Sequence, residues 1–376
     1  MQSQLRSINL TELETLLKSW SFPTYRARQI LNWLHQKHIT EFGEMKNLPK
    51  KLLGKLSESS LVSVLKLRET PKSNDQSSQK YLFETQDGHF LESVLIVQGG
   101  RNTVCVSTQL GCKMKCSFCA SGMGKFVRNL TAGEIIEQVS RVARTLSPLE
   151  VGNGRDRSLQ AITNVVFMGM GEPLDNYDAT LRAIKILMAD WGFGLGGRRI
   201  TVSTCGIIPK IEQFVKDVDG RVRLSISLHS SQQTVRNELV PINKRYNLDD
   251  LMSALEQLYR KLKREITFEY TLIQGMNNSP EAASGLARLA NRIHAKVNII
   301  PYNPVREADY QSPTPAQVKT FCALLEKKGV RVTVRQTAGR DINAACGQLR
   351  LDREPIRGTS GPKLICSIKF NLPPIP

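Results

Sequence analysis

The sequence predicts an α/β fold in which alternating strands and helices form a full or partial barrel. From about residue 100 onward, short apolar runs typical of strands alternate with helical patterns. Cysteine, glycine, serine and histidine motifs follow several of these strands, and a barrel places its chemistry at the carboxyl ends of its strands. Helices, a polar linker and a hairpin precede the alternating region. We therefore expect a large α/β domain with a smaller helical domain in front of it.

The alternating region contains six or more strand–helix units, and the pattern alone does not distinguish an open barrel from a closed one. The expected strands are 103–107, 163–168, 199–203, 222–228, 266–273, 296–301 and 330–335. The expected helices between them are 131–145, 178–189, 207–217, 248–263, 280–293 and 315–328.

Residues 1–70 are predicted to form a small, basic helical domain. Thr11-Glu12-Leu13-Glu14 matches a capping box at the start of one helix, and further helices are expected after Pro23 and after Pro49. The segment holds 11 Lys or Arg and 6 Asp or Glu, so 11 − 6 gives +5. Such a surface could dock RNA or could simply be solvated, and the sequence leaves both readings open.

A linker and a β-hairpin are expected over 71–97. A strand is predicted over 61–68, and the polar, breaker-rich stretch 71–79 follows it. Asp87-Gly88 lies between apolar runs at 81–84 and 90–97, which is typical of a hairpin turn. Strand alternation taken alone places Glu92 on the solvent-facing side.

The charge of the chain favours a polyanionic partner. Lys+Arg 52 against Asp+Glu 34 gives a net charge of +18 and a pI of about 9.7, so nucleic acid is the leading candidate and a merely basic surface is the alternative. Eight cysteines are too few and too clustered for a disulfide scaffold, which favours a reducing cytoplasm. With no apolar run of about 18 residues and no signal-peptide core, no membrane association is expected.

The most specific motif is a short loop with three cysteines, Cys112, Cys116 and Cys119, at spacing C-x3-C-x2-C after the first strand of the series. Three thiolates can hold a cubane iron–sulfur cluster and leave its fourth iron without a protein ligand. A structural zinc site is the alternative, but it would need a fourth ligand, and His229, Cys205 or Cys346 could offer one.

Other residues with potential chemistry follow later strands. Gly169-Met170-Gly171-Glu172-Pro173 offers backbone groups and a carboxylate to the amino end of a ligand, and Ser203, Ser227 and Asn303 could hold ribose or carboxylate groups. Each of the three polar residues, taken singly, is better explained as a strand-end cap than as a ligand-binding residue. Cys346 lies beside Gly347 in a tight loop, and Cys105 lies on the first strand, seven residues before Cys112.

With these residues in hand, the chain closely resembles the RlmN/Cfr family of radical S-adenosylmethionine RNA methyltransferases. The resemblance extends from about Phe22 to Leu351, and the segments that carry it are 104–119, 128–131, 169–174, 198–204, 227–229, 240–243 and 341–349. It implies the partial (β/α)6-type TIM barrel of the radical SAM core over 98–351, with 352–376 as a C-terminal tail.

The resemblance also implies a set of site residues. Cys112, Cys116 and Cys119 would ligate a 4Fe-4S cluster, whose free iron would bind the methionine end of S-adenosylmethionine. The residues completing the S-adenosylmethionine site would be Gly171, Glu172, Ser203, Ser227, Leu228, His229 and Asn303.

The same resemblance implies a mechanism that uses two molecules of S-adenosylmethionine per turnover. The first methylates Cys346, and the second yields a deoxyadenosyl radical that removes a hydrogen from this methyl group, whose carbon then adds to adenine. Cys105 would resolve the adduct and form a transient disulfide with Cys346. Glu92 matches the proton acceptor of the family. This assignment replaces the expectation from strand alternation that Glu92 faces solvent.

The expected substrates are carbon 2 of an adenosine in 23S rRNA and an adenosine next to the tRNA anticodon, since Pro173 follows the pattern of RlmN-type members. A Cfr-like carbon-8 enzyme is the alternative, and a non-catalytic zinc-containing RNA-binding protein is a distant one. The resemblance further implies a reductant of the flavodoxin or ferredoxin type, a cytoplasmic location and a monomer. Cys205 and the tail depart from the family pattern.

Overall fold

A computed structural model describes residues 3–146, 161–262, 264–335 and 339–350. The predicted tail over 352–376 and Cys366 lie outside the described residues. None of the helices in the described part of the chain has both the length and the apolar character that crossing a bilayer requires.

A ten-stranded sheet within the described residues organises the molecule, and two short two-stranded pairs accompany it. The strands are β1 (Ser3–Gln4), β2 (Ser60–Leu61), β3 (Leu65–Glu69), β4 (Ser78–Thr85), β5 (Phe90–Gln98), β6 (Arg101–Cys105), β7 (Gln109–Leu110), β8 (Arg128–Asn129), β9 (Asn164–Phe167), β10 (Ile200–Thr204), β11 (Arg223–Ser227), β12 (Ile266–Leu272), β13 (Lys296–Pro301) and β14 (Val332–Val334).

The helices of the described residues mostly connect neighbouring parallel strands. They are α1 (Leu10–Ser19), α2 (Arg26–His35), α3 (Lys50–Ser59), α4 (Ala120–Met123), α5 (Ala132–Leu146), α6 (Tyr177–Met188), α7 (Ile208–Asp217), α8 (Gln233–Leu239), α9 (Leu248–Leu262), α10 (Pro280–Arg292) and α11 (Pro315–Lys327).

The large sheet has the order β14-β13-β12-β11-β10-β9-β6-β5-β4-β3. The seven strands from β6 to β14 in this order are parallel, whereas β6, β5, β4 and β3 pair antiparallel. Because β5 occupies the second edge of β6, β14 does not close onto β6 in the described structure. The predicted α/β class is confirmed, and the arrangement is that of an open sheet with six strand–helix units followed by β14.

The predicted elements of the parallel region agree with the structure to within two residues at each end. The strands there are apolar and buried, and the helices between them cover the sheet and share one continuous core with it. The short helix α8 was not expected from the sequence.

Two local predictions are wrong. The first helix is capped by Asn9, whose side chain accepts the N–H of Glu12 while the Glu12 carboxylate accepts the N–H of Asn9, so the capping box begins two residues before the expected Thr11. The expected strand over 61–68 is interrupted, because the buried Glu137 carboxylate accepts the N–H groups of Val64 and Leu65.

The hairpin is present as β4 and β5, with Gly88 in the turn at a φ of +79°. The prediction from alternation that Glu92 faces solvent is wrong, since this residue is 5% exposed. The reason is that β5 lies between two neighbouring strands and is buried continuously from Leu91 to Leu95. The hairpin is therefore an extension of the main sheet and not a separate arm.

The N-terminal helices α1–α3 surround a core of their own, which includes Leu13, Leu17, Ile30 and Leu34. Arg6 ties this unit to the sheet domain. Its fully buried guanidinium donates to the carbonyls of Leu34, Ile39 and Val62 in the helical unit, and to the Ser140 hydroxyl on α5. Burial lowers the pKa of Arg6 to about 10.

We predict that Arg6→Gln lowers the free energy of unfolding by about 3 kcal/mol, because several buried acceptors lose their donor. Chemical denaturation would measure the change. Arg28→Gln is the matched control, since the Arg28–Asp190 ion pair is exposed and its loss should cost less than about 1 kcal/mol. Equal costs for the two variants would contradict the role assigned to Arg6.

Candidate active site

The three-cysteine loop begins directly after β7 and ends in α4. Gly111 starts it at a φ of +78°, where a Cβ atom would lie 2.3 Å from the Lys125 carbonyl oxygen, so this turn requires glycine. Within the loop the N–H of Cys119 donates to the carbonyl of Cys116 at 3.2 Å. Cys112, Cys116 and Cys119 all line one cavity at the carboxyl ends of the parallel strands, which we call the cysteine cavity.

Burial disfavours the charged form of all three thiols. It raises the pKa of Cys112 to about 12 and raises the pKa values of Cys116 and Cys119 as well. A cysteine ligates metal as the thiolate, so a nearby metal cation must supply the charge that compensates this cost.

The donor set fits a cluster better than a single ion. Within the described residues, no group of three or more His, Cys, Asp or Glu side chains is arranged to hold one metal ion. A structural zinc ion would need four ligands at about 2.0–2.3 Å from one point. Thiols of a cubane cluster each bind a different iron and can lie farther apart, which suits three cysteines around one cavity.

Hydrogen bonds join the Cys346 loop to the cysteine loop. The Ala120 N–H donates to the Gly347 carbonyl at 2.8 Å, and the Ser121 hydroxyl donates to the Leu349 carbonyl at 2.6 Å. The side-chain amide of Asn303, two residues after β13, donates to the Cys346 carbonyl at 3.2 Å. These bonds hold Cys346 at the cysteine cavity, although it lies over two hundred residues beyond the loop in sequence.

Cys105 and Cys346 are both free thiols, and Cys346 lies close enough to Cys105 to influence it. Burial, followed by the charge of Cys346, raises the pKa of Cys105 to about 12. Arg335, directly after β14, was missed by the sequence analysis. Ionised Cys346 raises the pKa of Arg335, and the Arg335 guanidinium in turn favours ionisation of Cys105. Arg335 and Cys346 both line the cysteine cavity, as does Cys205, whereas Cys105 does not. The site thus contains a cation beside Cys346.

Glu92 contacts the end of the Cys346 loop through a hydrogen bond with the Arg350 backbone. Its carboxylate forms an ion pair with Lys80 at 2.8 Å and accepts the Arg350 N–H at 3.0 Å. Burial raises the pKa of Glu92, and Lys80 opposes this shift. Glu92 lies on the same face of the sheet as Cys105, since Cys105 pairs with Val94, two residues further along β5. It does not line the cysteine cavity.

The glycine motif after β9 is shaped by close packing. Gly171 has a φ of +97°, and a Cβ atom there would lie 2.6 Å from the Cβ of Gln109. The buried Glu172 carboxylate accepts the N–H groups of Cys205 at 2.9 Å and Leu174 at 3.1 Å. Burial raises the pKa of Glu172. The motif presents a fixed carboxylate to the cysteine cavity.

Two strand ends meet next to this carboxylate. The hydroxyls of Ser203 on β10 and Ser227 on β11 lie 3.1 Å apart, and both residues line the cysteine cavity. Leu228 does not line it; its side chain is fully buried, and its N–H donates to the Glu269 carbonyl at 3.0 Å.

His229 is held as a neutral hydrogen-bond donor. Its Nδ1 accepts the Thr271 N–H at 3.0 Å, which leaves the imidazole proton on Nε2. Burial lowers the pKa of His229 to about 3, and the edge of the Phe118 ring packs on it with ring centroids 4.6 Å apart. The ring therefore stays uncharged across the physiological pH range.

Arg236 on α8 is a second residue that the sequence analysis missed. This fully buried guanidinium donates to the Leu228 carbonyl at 3.0 Å, to the Cys205 carbonyl at 2.8 Å and to the Asn243 side chain. It fixes the backbone that carries Ser227 and His229. Arginine on a short helix gives no sequence signal for such a position.

A second cavity of about 390 Å³ lies between the β5–β6 turn and the ends of β13 and β14. We call it the seam cavity; it is lined by Gln98, Arg101, Asn303, Arg335 and Cys346, among others. Its size is typical of a small-ligand pocket. Asn303 therefore faces the seam cavity and not the cysteine cavity, whereas Cys346 and Arg335 line both.

Comparison with known protein families gives two matches. Residues 106–287 match the profile of the radical SAM superfamily, and residues 3–62 match that of the ribosomal RNA large subunit methyltransferase N-terminal domain. The first contains the cysteine loop and the strand ends through β12, and the second contains the N-terminal helices.

Curated relatives and a solved structure cover nearly the whole chain. A protein of Thermoanaerobacter sp. (strain X514), named "Probable dual-specificity RNA methyltransferase RlmN", is 43% identical, covering 92% of this chain and 97% of the relative. A Bacillus licheniformis protein of the same name is 42% identical, covering 92% of each. The crystal structure of a radical SAM methyltransferase from Sphaerobacter thermophilus superposes with a TM-score of 0.87 at 40% identity, covering 93% of this chain and 99% of that one.

We predict that Gly171→Ala weakens the binding of S-adenosylmethionine at least about tenfold, because the added methyl group would displace Gln109 and the Glu172 backbone. Calorimetric titration of the cluster-loaded protein would measure the affinity. Gly194→Ala is the matched control, since Gly194 also has a positive φ, +67°, but open space around it. A loss of affinity in both variants would indicate general backbone strain and not crowding of the site.

Proposed function

We propose that this chain, which belongs to the RlmN family of radical SAM RNA methyltransferases, methylates carbon 2 of an adenosine in the peptidyl-transferase region of 23S rRNA. The proposal extends to an adenosine next to the tRNA anticodon, because the relatives are named dual-specificity RNA methyltransferases. The observation that carries it is the position of Cys346, which lines both the cysteine cavity and the seam cavity. A methyl group on its sulfur would face the cofactor on one side and the target base on the other.

Membership of the radical SAM superfamily implies a 4Fe-4S cluster and S-adenosylmethionine, and the three half-buried cysteines of the loop fit the cluster. When bound, these groups would supply the methyl group for Cys346 and the radical chemistry that activates it, with two S-adenosylmethionine molecules used per turnover. Cys112, Cys116 and Cys119 would hold the cluster.

The remaining residues of the cysteine cavity would orient S-adenosylmethionine. The Glu172 carboxylate suits the ammonium group, with Gly171 leaving space beside it. The Ser203 and Ser227 hydroxyls suit oxygen atoms of the ligand, and the neutral His229 can donate from Nε2. Leu228 would contribute through its backbone, and Asn303 through its hold on the Cys346 loop.

Cys346 and Cys105 would carry and release the methyl group. After the methyl carbon on Cys346 has added to the adenine, the Cys105 thiolate attacks the Cys346 sulfur. The attack would form the disulfide and break the bond between the Cys346 sulfur and the transferred carbon, and this carbon would take up a proton to become the methyl group of the released RNA. The one electron left over from the radical adduct would be accepted by the bound cluster, and a separate reductant would return the disulfide to two thiols. An external donor of the flavodoxin or ferredoxin type would supply electrons to the cluster. Arg335 lies beside both sulfurs and would stabilise the thiolate.

Glu92 would accept the proton that the adenine adduct loses. Its carboxylate is fixed by Lys80 and by the Arg350 N–H, at the base of the Cys346 loop. A buried carboxylate with a raised pKa is a stronger base than an exposed one, which suits proton abstraction near neutral pH.

The alternative within the family is methylation of carbon 8. Pro173 favours carbon 2, and mass spectrometry of rRNA and tRNA methylated with position-labelled adenosine would decide between the two positions.

We also propose that the enzyme acts in the cytoplasm as a monomer and that its domain boundaries lie at residues 70, 97 and 351. A purely zinc-containing RNA-binding protein is disfavoured by the lack of a converging ligand group in the described residues.

We predict that Cys346→Ala abolishes methylation but retains about four iron per chain, because Cys346 is not a cluster ligand. Cys105→Ala should accumulate protein covalently attached to RNA, since the adduct cannot be resolved. Denaturing gels and iron analysis would show both effects. Cys322→Ala on α11 is the control, because this buried cysteine lies outside the two cavities and should leave activity unchanged. Loss of iron from Cys346→Ala would contradict the assignment.

We predict that Lys80→Gln moves the acidic limb of the pH–rate profile to higher pH. Glu92 must be ionised to accept a proton, burial raises its pKa, and Lys80 is the largest influence that lowers it. Removing Lys80 therefore raises the pKa further, and activity falls at a higher pH on acidification. Lys66→Gln, on the exposed side of β3, is the control. An unmoved limb would argue against Glu92 as the proton acceptor.

A further inference from the structure

Several basic side chains lie at the end of the sheet opposite the active site. Each of the adjacent strands β10, β11, β12 and β13 has an arginine or lysine at or just before its first residue: Arg198, Arg223, Arg264 and Lys296. Arg221 adds a fifth cation two residues before β11. Because the strands are parallel, these side chains lie together at the amino ends of the strands. Ser203 and Ser227 lie at the carboxyl ends of the same strands.

These five cations line one cavity of about 300 Å³, which we call the basic cavity. Its walls include buried apolar side chains such as Val222, Leu224 and Ile266, and Tyr259 lies at its side. Glu265 also lines it, but the Glu265 carboxylate already forms an ion pair with Arg331 at 2.7 Å. The cavity therefore has a strong excess of positive charge.

None of the five cations forms a side-chain hydrogen bond or ion pair within the described part of the chain. Elsewhere in the protein many arginines pair with a carboxylate, for example Arg292 with Glu256 and Arg128 with Asp87. Unpaired cations at close quarters repel one another, so a site that collects them favours binding of an anion.

The local backbone keeps these cations together. At Gly197, a Cβ atom would lie 2.7 Å from the Arg221 carbonyl oxygen, so the segment before β10 packs directly on the segment before β11. Close packing of the two segments brings Arg198 and Arg221 next to each other. Guanidinium groups present several N–H donors in a planar fork that matches phosphate oxygens.

We propose that the basic cavity binds phosphate groups of the RNA substrate at a point remote from the methylated base. This inference rests on the proposed function, since it assigns a second contact to the same RNA. The strands between the cavity and the active site are five to seven residues long, so the two ends of the sheet are separated by about 15–25 Å at roughly 3.3 Å per residue. Only an RNA long enough to pass around the protein contacts both ends.

The test is a double charge reversal, Arg221→Glu with Arg264→Glu, in the cluster-loaded protein. We expect affinity for a long folded RNA to fall at least about tenfold, and the slope of log affinity against log salt to decrease by about two, since two phosphate contacts are lost. A short hairpin carrying only the target adenosine should bind the variant and the parent protein alike.

Lys319→Glu with Lys327→Glu on α11 is the matched control, because it changes the net charge equally at exposed positions outside the cavity. Equal loss of long-RNA affinity in both double variants would overturn the proposal and leave only a general effect of charge. Binding of inorganic pyrophosphate that persists under saturating long RNA would also overturn it in favour of a free-phosphate site.

The result also separates this inference from the proposed function. A parent protein that methylates RNA, with a cavity variant that binds long RNA as well as the control does, would contradict the basic cavity alone. A parent protein that neither binds nor methylates RNA would contradict both.

Discussion

The active site depends on one buried guanidinium. Arg236 donates to the carbonyls of Cys205 and Leu228, and thereby joins the ends of β10 and β11 beneath the residues that face the cysteine cavity. Burial lowers the pKa of Arg236 to about 10, which shows how costly its charge is without these partners. The strand ends and the charge stabilise each other, because displaced carbonyls would leave a buried cation unsatisfied and a lost cation would leave buried carbonyls unsatisfied.

A second set of hydrogen bonds joins the Cys346 loop to the three-cysteine loop. The backbone carbonyls of Gly347 and Leu349 accept hydrogen bonds from the Ala120 N–H and the Ser121 hydroxyl, so Cys346 is positioned against the three-cysteine loop through the backbone of its own loop. Glu92 reaches the same loop through the Arg350 N–H. Three distant parts of the chain therefore meet at Cys346, and the Cys346 loop is held through its backbone.

The parallel sheet could be predicted from the sequence, because the apolar periodicity indicates the strands and helices. The location of the site could be predicted as well, because the carboxyl ends of parallel strands lie on the same side of the sheet. The burial of Glu92 could not be predicted from alternation, since it follows from the strands that flank β5. Arg236 could not be predicted either, because arginine is ordinarily a surface residue and the burial of Arg236 depends on acceptors from other elements. The position of the half-buried Arg335 beside Cys346 depends on how β14 packs in the sheet, which no sequence motif indicates. The pairing of Cys105 with Cys346 came from the family resemblance and stays a prediction, because the two lie 241 positions apart in sequence and no spacing pattern links them.

Among the described residues, β14 does not pair with β6, and this bears on how a polymer could be a substrate. A closed barrel admits ligands through its mouth, which suits small molecules with a free end. An internal nucleotide of a long chain has no end to insert, and the strand of RNA on either side of it must remain outside the protein. In the proposed reaction, the seam cavity would give such a nucleotide a lateral entrance beside Cys346, so the polymer would not need to be threaded.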